Sequence, residues 1–317
     1  MSDNAVHRTR HSTEVEASAG AVYRIVAEAE NWPHIFPPTV HVDRTEGDDR
    51  RERLHIWAFA NGVVRDWTSR RELDPEGHRV TFRQEVSAHP VAAMGGEWII
   101  EPAGEGRTSV TLLHDFRVVD DDAEALEWVS RAVDTNSESE LAALKRAAES
   151  FAREPGVLLS FEDAVDIAGS GQDVYDFLLR ADRWEERLPH VSRLVLTEPA
   201  PDVQTVEMDT RAADGSVHTT RSVRVSFGPD RLVYKQTEVP ALMAAHTGRW
   251  TVVPTGDGVR AVSHHTVVLR PDRVRELLGE QAVLEDARRL VRTSLGTNST
   301  ATLNLAKAYA EGAAVPS

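Results

Sequence analysis

The chain has 317 residues, a formal net charge of -15 and no cysteine. This length suits two domains of about 150 residues each, and the missing cysteines exclude disulfides and thiolate metal sites. The acidic charge argues against nucleic-acid and anionic-membrane partners, and no apolar stretch approaches the roughly 20 residues that span a bilayer. Because the N-terminus also lacks the apolar core of a signal peptide, we expect a cytoplasmic protein.

The first half of the chain predicts a strand, a helix, six further strands and a long helix. Residues 8 to 17 alternate as a strand, and residues 18 to 29 form a helix that Ser18 caps. The segment NWPHIFPP then predicts a short helical turn that Pro37 ends. Six strand-like runs separated by turn signals follow at 39 to 46, 51 to 59, 63 to 73, 78 to 86, 94 to 102 and 107 to 118. An amphipathic helix over 123 to 152 closes the half.

The second half repeats the first. Trp32 recurs 152 positions later as Trp184, and TNSESELAALK at 135 to 145 recurs as TNSTATLNLAK at 297 to 307. The spacing of that last match is 162, which predicts a longer loop before the second terminal helix. A single repeat of this size indicates a duplicated domain rather than a solenoid. The predicted domains are residues 1–153 and 154–317.

This order of elements is typical of an α+β helix-grip fold, here present as two tandem domains. In such a domain a curved antiparallel sheet wraps around the long C-terminal helix, and two short helices lie at its edge. A sheet that grips one helix does not close its core completely, so we expect a cavity between the two.

Strand alternation places polar side chains inside the first sheet. His114 lies on the apolar face of the last strand-like run, and Arg71 lies on the inner face of the third run, with Arg65 near its rim. A buried arginine needs a carboxylate partner or an oxygen-rich ligand, whereas an inward histidine is either a packed core group or a catalyst. Asp134 lies at the edge of the apolar stripe of the last helix, where a solvated helix face is the alternative.

The segments WPHIFPPTVHV, DWTSRRELDP, LLHDF and DTNSESELAALK resemble the polyketide aromatase/cyclases of bacterial type II polyketide synthases. Two such units in tandem resemble the di-domain subclass, whose fold is the START-like and Bet v 1-like helix grip. The resemblance implies an enzyme that folds a poly-β-ketone carried by the phosphopantetheine of an acyl carrier protein. It closes the first ring by an aldol reaction between C7 and C12 of a chain reduced at C9, and then removes water to aromatise it. Other synthase subunits are implied as partners, and no metal or other cofactor is implied.

The resemblance also assigns roles to residues of the first half. Arg71 anchors carbonyl oxygens and stabilises an enolate, His114 acts as general acid or base, and Asp134 assists dehydration. The predicted substrate-binding residues are Trp32, Phe36, Arg65, Trp67, Ser69, Met94 and Trp98. The candidate arginines for docking an acidic carrier protein are Arg8, Arg10, Arg65 and Arg70.

The second half keeps the shell of the site and part of its chemistry. Matching glycines equates Arg224 with Arg71, yet the apolar alternation of that strand predicts that Arg224 points outward and Arg221 inward. The predicted second-domain pocket contains Arg221, Arg224, Trp250 and His265. We therefore predict that the first domain hosts cyclisation, while the second supports folding, completes dehydration or holds the product.

Two other functions are compatible with a helix-grip domain. A non-catalytic carrier would bind a lipid or polyketide in the same cavity and would need little beyond apolar walls. A chaperone-binding module would need an exposed apolar patch on the outer sheet face, and the polar outer faces of the predicted strands disfavour it.

Overall fold

The computed structural model describes residues 5–60, 62–87, 89–211, 215 and 217–312. The chain separates into two compact units, Met1–Pro155 and Gly156–Ser317. Each unit contains one antiparallel sheet of seven strands and one long C-terminal helix. The predicted tandem α+β helix-grip architecture is confirmed. Within the described ranges, no helix combines the length and the apolar character needed to cross a membrane.

The first domain contains all the elements predicted for it. Its sheet has the order β1-β7-β6-β5-β4-β3-β2, so the first and last strands of the chain segment pair with each other. Its elements are β1 (His7–Val15), α1 (Ala19–Ala27), a 3-10 turn (Ala29–His34), β2 (Thr39–Gly47), β3 (Arg51–Ala60), β4 (Val63–Asp74), β5 (Arg79–Gln84), β6 (Val91–Pro102), β7 (Thr108–Val118), a second 3-10 turn (Val119–Asp121) and α2 (Ala123–Arg153).

The second domain repeats this topology, with the order β8-β14-β13-β12-β11-β10-β9. Its elements are β8 (Leu158–Ile167), α3 (Gly171–Leu179), a 3-10 turn (Ala181–Arg183), α4 (Trp184–Arg187), β9 (Val191–Ala200), β10 (Val203–Arg211), β11 (Val217–Phe227), β12 (Arg231–Glu238), β13 (Met243–Thr255), β14 (Gly258–Leu269), α5 (Pro271–Leu278) and α6 (Leu284–Ala310). The connection before the terminal helix is longer than in the first domain, as predicted, and most of its extra residues form α5. Pro271 at the first turn of α5 favours a helix start, since its missing N–H is not needed there.

Caps and apolar stripes explain where the helices of the first domain begin and which face they bury. The Ser18 hydroxyl accepts a hydrogen bond from the Ala21 N–H at the start of α1, and the Asp122 carboxylate accepts one from Ala125 at the start of α2. The apolar stripe of α2 packs against α1, β1 and β7. The buried apolar residues of that stripe are Val129, Val133, Leu141, Ala143, Leu144 and Ala148. This helix therefore packs against the inner face of the sheet and covers part of it.

A glycine on the inner face of each sheet makes room for an aromatic ring. In the first domain Gly96 pairs with Phe82 on one side and His114 on the other, and a Cβ at Gly96 would lie 2.6 Å from Phe82 Cζ. In the second domain Gly248 lies between Tyr234 and His265 in the same register. Because the two registers coincide, residues of the two domains can be compared position by position.

A buried ion pair fastens α1 to the first sheet. Arg71 on β4 is 2% exposed, and its Nε donates to Glu52 Oε1 at 2.7 Å, an oxygen that its Nη2 also contacts. Its Nη1 donates to the Val26 carbonyl at 2.8 Å and its Nη2 to the Ala27 carbonyl at 2.6 Å, which satisfies two C-terminal carbonyls of α1. The guanidinium also lies 4.9 Å from the centre of the Trp32 ring. Burial lowers the pKa of Arg71, and Glu52 opposes that change.

Removal of the Glu52 carboxylate tests this arrangement. We expect Glu52→Ala to reduce the free energy of unfolding by about 3–5 kcal/mol, because it leaves the Arg71 charge buried without its partner. The control is Glu72→Ala, which breaks the exposed Arg51–Glu72 pair at 3.3 Å and is expected to cost less than about 1 kcal/mol. Urea unfolding followed by tryptophan fluorescence measures both. Equal losses in the two variants would contradict a structural role for the buried pair.

Candidate functional site

His114 lies on the inner face of β7 and is oriented towards α2. Its Nδ1 lies 3.3 Å from Ser137 Oγ, and that hydroxyl donates to the Val133 carbonyl at 2.7 Å. The Phe82 ring meets the imidazole edge to face, with ring centres 5.5 Å apart. Burial lowers the pKa of His114 to about 4, so the imidazole is neutral at pH 7. The inward orientation predicted from strand alternation is therefore found, and the group is available as a base rather than as a cation.

Glu140 is a candidate functional residue that the sequence analysis missed. It lies on α2 three residues after Ser137, so the two side chains share one helix face. Its side chain is half-buried and forms no hydrogen bond or ion pair with any residue in the described part of the chain. Burial alone raises its pKa to about 7. The available signal was a carboxylate inside the apolar stripe that runs from Val133 to Leu144.

Asp134, the acidic residue predicted for this helix, lies at its surface. Its side chain is 54% exposed, and Oδ1 lies 3.1 Å from His11 Nε2. The solvated helix face, which the sequence left open, describes its surroundings.

The structure decides between the two alternatives for a buried Arg71. Its inner position is confirmed by its burial, and its partner is the Glu52 carboxylate described above. Four of the five N–H donors of the guanidinium bind protein oxygens, which leaves one for a substrate oxygen. The role of Arg71 as a direct donor to substrate stays a prediction, and the contacts described above show that it also holds α1 and the Trp32 ring in place.

The predicted aromatic walls belong mainly to the apolar core. Phe36 and Trp98 are buried in the cluster formed with α1 and α2. The Trp32 indole N–H donates to the Ile25 and Val26 carbonyls at 3.2 Å each, and its ring packs edge to face on Phe36. These three side chains shape the core rather than an open surface.

The remaining predicted substrate-binding residues differ in exposure. Ser69 is buried and donates to the Arg83 carbonyl at 3.2 Å. Trp67 and Met94 are half-buried near the inner face, whereas Arg65 is exposed near the start of β4. Trp67 and Met94, like the half-buried Trp32, are therefore wall residues that retain accessible surface.

A cavity of about 630 Å³ opens mainly on the other face of the first sheet, away from α2. It gathers arginines and carboxylates from five neighbouring strands, among them an Arg83–Asp115 ion pair at 2.8 Å. The charged lining residues are Arg8, Arg10, Arg70, Glu72, Arg83, Glu97 and Asp115. Three of the four predicted docking arginines thus lie along one groove, and Arg65 does not. Phe82 and His114 also line this cavity, so it is not confined to the outer face of the sheet.

The predicted orientations of Arg221 and Arg224 in the second domain are wrong, because Arg224 is buried and Arg221 is exposed. Arg224 is 3% exposed and pairs across the sheet with Tyr234, as Arg71 does with Phe82. Arg221 is 56% exposed and donates to Glu207 at 2.8 Å. The alternation misled because Val223 and Val225, on either side of Arg224, are buried as well, so both faces of β11 are covered there.

Arg224 also lacks the carboxylate that pairs with Arg71. The residue facing it on β10 is Gln204, at the position that Glu52 occupies in the first domain. Its Nη2 donates to the Leu178 carbonyl, and burial lowers its pKa to about 10. Trp250 is buried in the core of this domain.

His265, the counterpart of His114, belongs to a buried polar network. Its Nδ1 lies 3.1 Å from Tyr234 Oη and 3.0 Å from His246 Nε2, and its Nε2 lies 3.1 Å from Ser263 Oγ. Burial lowers the pKa of His265 to about 4 and that of His246 to about 3. Both imidazoles are therefore neutral at pH 7. Matching the two halves identified His265 but not its partners Tyr234 and His246. The residues at the corresponding positions of the first half are Phe82 and Met94, which offer no similar polar group.

Comparison with known proteins places these features in a family. A family model described as polyketide cyclase/dehydrase and lipid transport matches residues 6–149 and again 159–302. The granaticin polyketide synthase bifunctional cyclase/dehydratase of Streptomyces virginiae is 45% identical over 301 residues, covering 93% of this chain and 97% of that protein. The actinorhodin polyketide synthase bifunctional cyclase/dehydratase of Streptomyces coelicolor is 44% identical over 320 residues, with coverage of 98% and 99%.

A solved structure extends the similarity to the fold. The crystal structure of the di-domain ARO/CYC BexL, from the BE-7585A biosynthetic pathway, matches with a TM-score of 0.90 and 53% identity. The match covers 98% of this chain and all of that one.

The raised pKa of Glu140 predicts a pH-dependent loss of stability. A buried carboxyl holds its proton up to about pH 7, whereas in the unfolded chain it loses the proton near pH 4.5. Its contribution to stability therefore falls as pH rises from about 4.5 to about 7, by an amount on the order of 3 kcal/mol at most. We expect Glu140→Gln to gain stability relative to the wild type across that interval, as measured by urea unfolding at several pH values. A pH-independent difference between the two proteins would contradict the burial of this carboxyl, and the exposed neighbour Glu138→Gln serves as control.

Proposed function

The chain belongs to the polyketide cyclase/dehydrase and lipid transport family, and from this we propose that it cyclises and aromatises the first ring of a poly-β-ketone. The observation that carries the proposal is the combination of a neutral, buried His114 on β7 with a carboxyl, Glu140, that has no partner in the described part of the chain and lies on α2, the helix that packs against β7. Burial lowers the pKa of His114 to about 4 and raises the pKa of Glu140 to about 7. This order is the reverse of the one that exposed imidazole and carboxyl groups show. At neutral pH the imidazole is therefore free to accept a proton while a fraction of the carboxyl is free to donate one.

This pair supplies the two proton transfers that aldol closure and dehydration need. In ring closure His114 removes a proton from the carbon that attacks, and Glu140 donates a proton to the carbonyl oxygen that is attacked. Ring closure leaves His114 protonated and Glu140 ionised, so their roles reverse in dehydration. The Glu140 carboxylate removes a proton next to the new carbinol, the C–O bond breaks as the double bond forms, and the His114 imidazolium protonates the leaving oxygen to give water, which returns both groups to their starting states. Trp67 and Met94 border the same face and limit which folded conformers of the chain fit.

The finer features of the substrate are also part of the proposal. The chain acts on a poly-β-ketone reduced at C9 and joins C7 to C12. The two-domain architecture supports this assignment, because it is the arrangement of the di-domain relatives that the sequence resembles. The competing carrier function needs apolar walls alone, and an unpaired carboxyl in the interior is unfavourable for that purpose.

An acyl carrier protein is the proposed carrier of the substrate, alongside other subunits of the synthase. Carrier proteins are acidic, so a chain with a net charge of -15 needs a local arginine surface to receive one. The outer groove of the first domain gathers Arg8, Arg10 and Arg70 for this purpose.

Reconstitution with the minimal synthase and ketoreductase tests the proposed chemistry. We expect His114→Ala and Glu140→Gln each to reduce the aromatised product about 10²-fold or more, since general acid–base catalysis typically contributes that much. Glu138→Gln, an exposed change on the same helix, is expected to leave the product distribution unchanged. Normal aromatisation by both inner-face variants, or unchanged products when the chain is omitted, would contradict the proposal.

Carrier docking is tested separately with charge reversal. We expect the double variant Arg8→Glu/Arg10→Glu to raise KM for the carrier-bound substrate about tenfold, because it opposes the acidic carrier. The turnover of a small N-acetylcysteamine thioester, which needs no docking, should stay unchanged. An equal effect on both substrates would show that the groove does not receive the carrier.

A further inference from the structure

Three buried polar atoms lie unpaired on adjacent strands of the second domain. Nη1 of Arg224 on β11, Oε1 of Gln236 on β12 and Nδ1 of His246 on β13 have no hydrogen-bond partner within the described ranges. Buried polar atoms in folded proteins are almost always paired with protein, water or a ligand. This set offers one donor, one acceptor and one imidazole nitrogen, which fits an occupant that carries both carbonyl and hydroxyl groups.

The corresponding positions of the first domain are paired or apolar. Gln84 stands at the position of Gln236 there, and its side chain donates to the sulfur of Met94 and accepts from Ser87. Met94 itself stands where the second domain has His246. At these three positions, therefore, the unpaired polar atoms distinguish the second domain from the first.

The histidine network adds a further unpaired group. Tyr234 Oη and His246 Nε2 both contact Nδ1 of His265. A neutral imidazole nitrogen offers either one proton or one lone pair, so it satisfies the two groups only one at a time. Either the tyrosine hydroxyl or the second imidazole therefore always retains capacity for another partner.

A large side chain of the first domain is absent from this face of the second. Thr220 lies opposite Met208 on the inner face, at the position where Trp67 lies opposite Ile56 in the first domain. Replacing an indole by a hydroxyl-bearing side chain removes much of the volume that fills the first domain at this point. Tyr234 and Gln236 remain half-buried beside it, so their side chains retain accessible surface.

We infer that the interior of the second domain is a separate binding site for a ring compound bearing ketone and hydroxyl oxygens, held by Tyr234, His246 and Gln236. Given the proposed function, its ligand is the cyclised intermediate that leaves the first domain. Arg224 serves the same ligand as a buried donor to a carbonyl or enolate oxygen, because no carboxylate faces it.

Calorimetric titration of the full chain with 1,3-dihydroxynaphthalene tests the site. The double variant Tyr234→Phe/His246→Met installs the residues that the first domain carries at these positions, and Thr220→Trp restores the missing indole. We expect the double variant to weaken binding at one site per chain at least about tenfold, as for two lost hydrogen bonds to buried groups. Thr220→Trp should block that site while the polar groups remain. Tyr309→Phe, a change of the same chemistry on the exposed side of α6, is the control and should bind as the wild type does.

The outcomes separate this site from the proposed reaction. Binding that is unchanged in both test variants, or that is lost in His114→Ala instead, overturns the inference. A wild-type Kd weaker than about 1 mM also overturns it. Since the titration needs neither synthase nor carrier, failure of the chain to direct cyclisation in the reconstituted system would refute the proposed function without affecting this result.

Discussion

The buried guanidinium on the inner face of each sheet is the constraint around which both domains are organised. A charge removed from water needs a partner close by, and a strand facing a single terminal helix offers few. In the first domain Glu52 supplies the charge and the end of α1 supplies two carbonyls, so Arg71 joins three elements. The entry segment with Trp32 is held against the sheet by the same contacts. The position of the chain between α1 and β2 thus depends on one ion pair.

The second domain keeps this arginine and changes its surroundings. A glutamine faces Arg224, one carbonyl of α3 accepts from it, and the Trp184 ring lies 4.9 Å from it. Polar groups have gathered instead around His265, three strands away on β14. Duplication has therefore given two interiors of the same topology with different contents. The first has a neutral imidazole on β7 and a lone carboxyl on α2, and the second concentrates uncharged hydrogen-bonding groups around His265.

The fold was predictable from sequence because it rests on local patterns that recur twice. Turn residues, alternation and the capped amphipathic helices fixed the order of elements, and strand parity placed His114 and Arg71 correctly. Parity failed where both faces of a strand are covered, which exchanged Arg221 and Arg224. Pairings between distant strands, such as Arg71 with Glu52, carry no local signal and could not be read. Glu140 has a local signal, a charge within an apolar stripe, but the family resemblance implies a role for Asp134 instead.

Gly96 on β6 and Gly248 on β13, which make room for an aromatic ring, have a consequence for how the fold can change in evolution. Each glycine makes room for the ring on the neighbouring strand without determining which ring it is. The ring is Phe82 in the first domain and Tyr234 in the second. A single nucleotide separates the codons of those residues in many cases, so one mutation alters the interior without moving a strand. Variation within such a lineage can therefore proceed through the contents of a rigid frame, and diversity of products need not be accompanied by diversity of fold.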